Sequence, residues 1–397
     1  MRVLFISPFL PYPVDNGSKM RAMNFLRSLR GHEVVLLAFM DEEEIVYKEE
    51  LLQFCSELNI FQKPKISAFQ VFVNHFSLGP LLSKRLYVKE ANIKIKEVLK
   101  DKKIDLVIAD TLLMAEYARK LKGLFKILNE HNLEFMRAVR RVYTYKSWIK
   151  KVYYYFIMKR LKRYELKAIR DFDGCFVCSE TDKKTLSNSL AYHAIKVVPN
   201  SVDIDYFHPK QGTHDSKKII FTGTMWYEPN VDAVKYFAKD IFPTLREDIP
   251  DLELIIVGDR PTEDVQNLSS DGNITVTGYV DDIRPYLYDA SVFVAPIRMG
   301  SGTRLKILSA MSMSLPVVST TVGCEGLEVC DGENICIADT PQQFSEMTLK
   351  LLKDIKFWNR IASGGRVLVE QKYSNKSIER ELFNFWDLIE RKLERNV

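Results

Sequence analysis

Short apolar runs recur along this chain, spaced so that a helix fits between most of them. Val3–Ile6, Glu33–Phe39, Asp105–Ala109, Phe125–Leu128, Cys175–Cys178 and Val197–Asn200 form a first series. Ile219–Thr222, Leu252–Val257, Ile274–Thr277, Val292–Ala295, Leu315–Ser319 and Asn334–Ile337 form a second. Runs of this length bounded by turn residues predict buried strands. Between them the period changes to that of a helix. Ala22, Phe25, Leu26 and Leu29 make one helical face, with Ser18 as the expected N-cap and Gly31 as the stop. Met114–Leu121, Val231–Phe242, Ile283–Tyr288 and Gln342–Leu352 read as further helices, and residues 41–100 alternate helical and irregular segments. From Asn375 onward, Ile378, Leu382, Phe385, Leu388, Ile389 and Leu393 give a long amphipathic terminal helix that must dock on something. Alternating strands and helices predict parallel α/β sheets. Two series joined near residue 200, with glycine turns at strand ends in both, predict two facing domains and a cleft that holds the chemistry.

Composition narrows this only a little. At 397 residues the chain has room for two or three domains, and 46% hydrophobic with 27% charged residues is ordinary for a globular protein. No apolar run approaches the 18 or so residues of a membrane span. The apolar start, MRVLFISPFLPYPV, is broken by Pro8, Pro11 and Pro13 and does not read as a signal peptide. The six cysteines are scattered, so reduced thiols in a cytosol are the expectation. Cys175 and Cys178 form a C-x-x-C, but along a strand their side chains face opposite ways. A core role is therefore expected, with zinc or redox chemistry as the rival. Asp203-Ile204-Asp205 is a D-x-D that lacks a suitable frame for a metal site and reads as a structural turn.

The charge becomes informative once located. Residues 136–170 carry twelve lysines and arginines, among them Arg137, Lys150, Lys159 and Arg163, against Glu165. Trp148, Tyr153, Tyr154, Tyr155 and Phe156 are interleaved. Cations with interfacial aromatics suit an anionic membrane surface or a lipid-linked acceptor. A solvated helical face over core aromatics is the alternative, and a nucleic-acid groove a weaker one.

The most pointed stretch follows the strand at Val292–Ala295. Pro296 ends that strand, Gly300 and Gly302 bracket Ser301, and a helix begins near Thr303 with Leu305, Leu308 and Met311 on one face. Free N–H groups at a helix start carry a partial charge of about +0.5, and glycines let a ligand approach the backbone. Arg304 and Lys306 add cations where the helix dipole opposes them. A di-anionic ligand removes that conflict. The plainer alternative is a tight turn with both side chains in solvent.

VVPNSVDIDYFHP, IIFTGTMWYEPNVDAV, LELIIVGDRP, ITVTGYVDDIRPYLYDASVFVAP and MGSGTRLKILSAMSMSLPVVSTTVGCEGL, in that order, carry a family likeness. The chain resembles the GT-B glycosyltransferases of family 4, a retaining and metal-independent group. Its likeness is greatest to a bacterial polysaccharide-assembly subgroup with GSGTRLK. SPFLPYPVDNGSKMRAMNFLRSLRGHEVVLLAF at the N-terminus fits the same group. The resemblance implies an acceptor domain over 1–197 and a nucleotide-sugar domain over 198–374, with the helix 375–397 returning to the first. It implies no cofactor, no metal, no nucleic-acid partner and a cytoplasmic location, peripheral on the membrane if residues 136–170 bind there.

Residue by residue, the resemblance places Gly17, flanked by Asn16 and Ser18 on the acceptor side, in the loop near the diphosphate. His131 faces the transferred sugar. Gly223 and Thr224 open the donor loop, Gly302, Thr303, Arg304 and Lys306 hold the diphosphate, and Gly300 and Ser301 belong to the same donor-binding set. Arg304, Lys306 and His131 are thus the catalytic candidates. Many relatives carry an arginine and a lysine after the Gly223 strand; here Thr224 or Met225 and Asn230 stand there. Arg304 and Lys306, with Arg298, are expected to supply that charge. Two family glutamates with seven residues between them become Ser301 and Ser309, the latter at a ribose-binding position. Asn200-Ser201 replaces the family's usual Asn-Gly, a minor change. The function implied is transfer of a sugar from a nucleoside-diphosphate donor to a saccharide or lipid-linked acceptor. The rivals are a non-catalytic nucleotide-sugar-binding subunit with a degenerate donor site, motivated by Ser309, and a nucleotide-sugar epimerase.

Overall fold

A computed structural model describes residues 1–42, 44–64, 86–144, 147–190, 193–209, 217–300 and 302–394, with the backbone alone over 140–144. The chain divides into two compact units. One holds Met1–Asn200 and the chain from Ile378; the other holds Ser201–Ser377. Each is described in turn.

The first unit is a parallel sheet of β1 (Arg2–Ser7), β2 (Glu33–Met40), β3 (Glu57–Gln62), β4 (Leu106–Asp110), β5 (Phe125–Asn129), β6 (Gly174–Val177) and β7 (Ile195–Val197). The spatial order is β3-β2-β1-β4-β5-β6-β7. Successive residues of β1 go to opposite faces. Leu4 and Ile6 join one apolar cluster, Val3 and Phe5 another. Both faces are covered, which is why the strands read as continuous apolar runs rather than alternating ones. The terminal helix Asn375–Glu394 supplies Ile378, Leu382 and Trp386 to the second cluster. Trp386 is fully buried against Phe25 and Phe176, and its indole N–H donates to Ser28 Oγ at 2.8 Å.

The second unit repeats the plan with β8 (Lys218–Thr222), β9 (Glu253–Val257), β10 (Ile274–Val276), β11 (Val292–Ala295), β12 (Val317–Ser319) and β13 (Cys336–Ile337). Its order is β10-β9-β8-β11-β12-β13, all parallel. In each sheet the order reverses between two neighbours, β1 and β4 in the first, β8 and β11 in the second. Open α/β sheets bind ligands beyond the carboxyl ends of strands at such reversals. Ser7 and Asp110 end the first pair; Thr222 and Ala295 end the second.

Several elements differ from the sequence reading. β3 lies within 41–100, where no strand is expected; it is an edge strand of half-buried residues and lacks a sharp pattern. The helix Ile355–Leu368 is also unexpected, because Gly364 and Gly365 argue against it. Both glycines are packing positions: a Cβ on Gly364 would lie 2.3 Å from the Glu333 carbonyl oxygen. The segment expected as Met114–Leu121 is a short 3-10 turn, Leu112–Met114, followed by Ala115–Ala118. The last strand of the first sheet is Ile195–Val197, ahead of the expected Val197–Asn200. Asp203 makes the turn expected of it, accepting N–H bonds from Asp205 and Tyr206.

Candidate functional site

In the second unit, β8 delivers Thr222 and Gly223 to the carboxyl edge, and the loop after β11 delivers Gly300 to Arg304. Gly300 and Gly302 have φ of +105° and +87°, a region other residues enter at a cost. The following helix is Leu305–Ser312, and Arg304 is its cap residue without a side-chain cap bond. The helix therefore starts two residues later than Thr303.

Lys306 turns towards β8. Its ammonium donates to Asn230 Oδ1 at 2.9 Å and lies 4.1 Å from the Phe221 ring centre. Asn230 in turn donates through Nδ2 to the Thr224 carbonyl at 3.0 Å. A Cβ on Gly223 would stand 2.4 Å from Lys306 Nζ, so glycine here makes room for the lysine. Gly223, Thr224, Asn230 and Lys306 thus form one cluster. Among the described residues no carboxylate pairs with Lys306. Burial, and then the charge of Arg304, pushes its pKa well below the ordinary lysine range. Arg304 donates through Nη2 to the Met299 carbonyl at 3.3 Å and passes close over Gly300. Thr303 Oγ1 is buried with no hydrogen-bond partner among the described residues.

Two expected donor residues stand apart from that cluster. Arg298 is held by Asp232 at 2.7 and 3.0 Å and stacks over Tyr236 at 4.2 Å. Ser309 is buried, and its hydroxyl donates back to the Leu305 carbonyl of its own helix at 3.1 Å. Ser301 lies outside the described residues.

In the first unit, Gly17 is the first residue of helix Gly17–Ser28. The cap is Asn16, not Ser18: Asn16 Oδ1 accepts the N–H groups of Ser18 and Lys19, both at 3.0 Å. His131 follows β5 and is 8% exposed. Its Nε2 sits 2.7 Å from Asp110 Oδ1. Register brings the partners together, for Asp110 pairs with Asn129 across β4 and β5. Asn129 Nδ2 donates to the same Asp110 oxygen at 2.7 Å. Asn129 Oδ1 accepts from Arg21 Nε and Nη2 at 2.9 and 2.7 Å. Phe9 meets the His131 ring edge-on, and the Cys178 thiol donates to the His131 carbonyl at 3.1 Å. Burial holds the Cys178 thiol up at about 11 and Cys175 well above its usual range, so both are inert core thiols. The sequence reading missed Arg21, Asp110 and Asn129. A carboxylate closing the apolar run LVIA, and an arginine inside an apolar helix face, were the available signals.

Behind His131 lie two buried glutamates. Burial, then the charge of Glu165, raises the Glu130 carboxyl well above its usual range. Glu165 is raised to about 8, chiefly by burial, although its carboxylate accepts the N–H groups of Glu134 and Phe135 at 2.8 Å each. No group of three or more potential metal ligands occurs among the described residues.

The second unit therefore offers a lysine at a glycine-lined helix start with no carboxylate partner among the described residues, and the first unit a carboxylate-backed imidazole. Two family models match the chain. "Glycosyltransferase Family 4" covers residues 20–206 and "Glycosyl transferases group 1" covers 216–354. A Klebsiella pneumoniae protein described as an uncharacterized 44.6 kDa protein in a cps region is 24% identical over 397 residues, spanning 96% of this chain and 99% of its own. An Escherichia coli UDP-Gal:alpha-D-GlcNAc-diphosphoundecaprenol alpha-1,3-galactosyltransferase is 26% identical over 58% of this chain and 61% of its own. The crystal structure of Anabaena Alr3699/HepE in complex with UDP superposes with a TM-score of 0.68 at 13% identity, covering 98% of this chain and all of that one. The fold is GT-B. The two family matches together span most of the chain, which belongs to glycosyltransferase family 4.

Proposed function

We propose that this enzyme transfers a hexose from a nucleoside-diphosphate sugar to a saccharide or lipid-linked acceptor during assembly of a cell-surface polysaccharide. It does so with retention and without a metal. The observation that carries the donor assignment is Lys306, seated at Gly223 with, among the described residues, an amide oxygen and an aromatic face as its partners. A buried cation without a counter-charge is costly, and a diphosphate would offset that cost. Arg304 and the glycine-loop N–H groups add to the same pole. Charge grows on the leaving diphosphate as the sugar bond breaks, so these groups act more on the transition state than on the ground state. The UDP held by the Anabaena neighbour and the lipid diphosphate acceptor in the Escherichia coli relative's name support the substrate classes. Ser309 spends its hydroxyl on its own helix, so the donor ribose is held without the family's carboxylate.

We place the acceptor side of the enzyme on an anionic membrane surface. No helix of the described residues is long and apolar enough to cross a membrane. Helix Trp148–Arg170 instead carries an exposed stripe at a spacing of three and four: Trp148, Val152, Phe156, Lys159, Arg163, Lys167 and Arg170. The first turns of the stripe are apolar and the later ones cationic, side chains suited to insertion and to anionic headgroups respectively. The side chains of 140–146 in the same basic stretch lie outside the described residues.

Thermal shift against UDP-, GDP-, ADP-, CMP- and dTDP-sugars, without metal, tests the donor reading. Ligand at 100 times its dissociation constant should stabilise the protein by about 2.7 kcal/mol. One clear hit names the base; no hit across the panel rejects a functional donor site and favours the degenerate-site alternative.

A further inference from the structure

We infer that Arg21, Asn129 and Asp110 act as positioning residues. They fix His131 in one tautomer, so that it receives a hydrogen from a sugar hydroxyl rather than offering one to an oxygen.

A hydrogen-bonded wire runs through the first unit, and its shortest contacts assign the donors; Asn129 Nδ2 also stands 3.4 Å from His131 Nε2, farther than its 2.7 Å bond to Asp110. Arg21 has donors only, and two of them meet Asn129 Oδ1. That settles which way the Asn129 amide points: its oxygen faces Arg21, so its NH2 faces Asp110. Asp110 is fully buried, and its Oδ1 is the acceptor for both Asn129 Nδ2 and His131 Nε2. A carboxylate oxygen facing a ring nitrogen at 2.7 Å requires the hydrogen on that nitrogen. His131 therefore carries a hydrogen on Nε2, and in the neutral ring Nδ1 holds the lone pair. Nδ1 has no partner among the described residues, and it is absent from the buried polar atoms that lack one, so a ligand can reach it.

Arg21 is itself anchored, because its Nη1 donates to the Val198 carbonyl and to Asn200 Oδ1. The wire thus joins helix Gly17–Ser28, β4, β5 and the segment after β7. The chemistry at its end is selective. A lone pair accepts from a hydroxyl and repels a phosphate oxygen or a carbonyl. Resting on the proposed donor site, this assigns His131 to a hydroxyl of the transferred sugar or the acceptor, and it separates that role from the cationic diphosphate pole at Lys306.

The first test needs no ligand. Nitrogen-15 spectra of the histidine rings at pH 8, with His131 assigned through His131→Gln, should show Nε2–H with Nδ1 bare. A dominant Nδ1–H form overturns the inference. Asp110→Ala removes the acceptor and should leave a mixture of tautomers, whereas Asp110→Asn keeps an acceptor oxygen and should keep Nε2–H. Unchanged tautomers in Asp110→Ala also overturn it. Turnover is then followed as UDP release from UDP-glucose and UDP-galactose. Asp110→Ala should lose at least tenfold in kcat with little change in donor KM, and Asp110→Asn should recover part of that loss. Equal kcat in all three proteins overturns the positioning role. Absence of UDP release from the wild type is a failure of the donor reading, and the wild-type spectrum still decides the tautomer.

Discussion

At the scale of single residues, the site is set by groups placed where their charge is poorly solvated. Lys306 is the sharpest case, with burial and Arg304 holding its pKa well below the lysine range. A di-anion favours the charged form, so binding should draw a proton from solution. Titration calorimetry of UDP in two buffers of different ionisation heat should show proton uptake, and affinity should weaken as pH rises. Lys306→Met should abolish the uptake and weaken binding by roughly 10–100-fold, the worth of one hydrogen bond to a charged group at ~1.5–3 kcal/mol. The glutamates behind His131 run the opposite way. Their carboxyls are raised in the folded protein, Glu165 to about 8, and titrate near 4.5 when unfolded. They contribute fully below about pH 4.5, and that contribution is lost as pH rises towards 8. Thermal midpoints should therefore fall between pH 5 and pH 8, and the slope should flatten in Glu130→Gln. An unchanged slope in that variant would show that the pair is not buried protonated.

At the scale of elements, helix Trp148–Arg170 departs most from ordinary surface composition. Trp148, Ile149 and Phe156 are 73%, 62% and 64% exposed, and the one acidic residue of the helix, Glu165, is buried. Wild-type protein should float with anionic liposomes at low salt and release at high salt, since contacts to charged headgroups are screened within a Debye length. The double variant Trp148→Ser, Phe156→Ser should bind less at every salt concentration, because apolar insertion is not screened. No flotation at low salt leaves the solvated-face reading. The same helix shows how packing assigns roles within a charge run. Lys162 lies over the Phe135 ring and Lys159 over Tyr155 of its own helix, while Lys167 remains exposed. Sequence spacing alone treats these lysines alike.

At the scale of the whole molecule, most elements were legible because periodicity is local. A strand buried on both faces is a run of apolar residues wherever it sits, so eleven of the thirteen strands fall on the runs named from sequence. The exceptions are informative: β3 is half-buried at a sheet edge, and β7 is a short strand of half-buried residues just ahead of the run expected for it. Local pattern also located the glycine loop and His131, each at a strand's end. What the pattern could not supply is adjacency across crossovers. Asp110 and Asn129 are neighbours only because β4 and β5 pair in parallel with that register. Arg21 reaches Asn129 across 108 residues, and Lys306 reaches Asn230 across 76. The chain thus determined its strands, its helices and the loop that meets an anion, since these depend on residues within a turn or two. Only the folded sheets decided that Arg298 belongs to Asp232, that Ser309 bonds its own helix and that Asp110 stands behind His131. Hydrogen bonds form between groups brought within about 3 Å, and register and crossover, not spacing along the chain, bring them there.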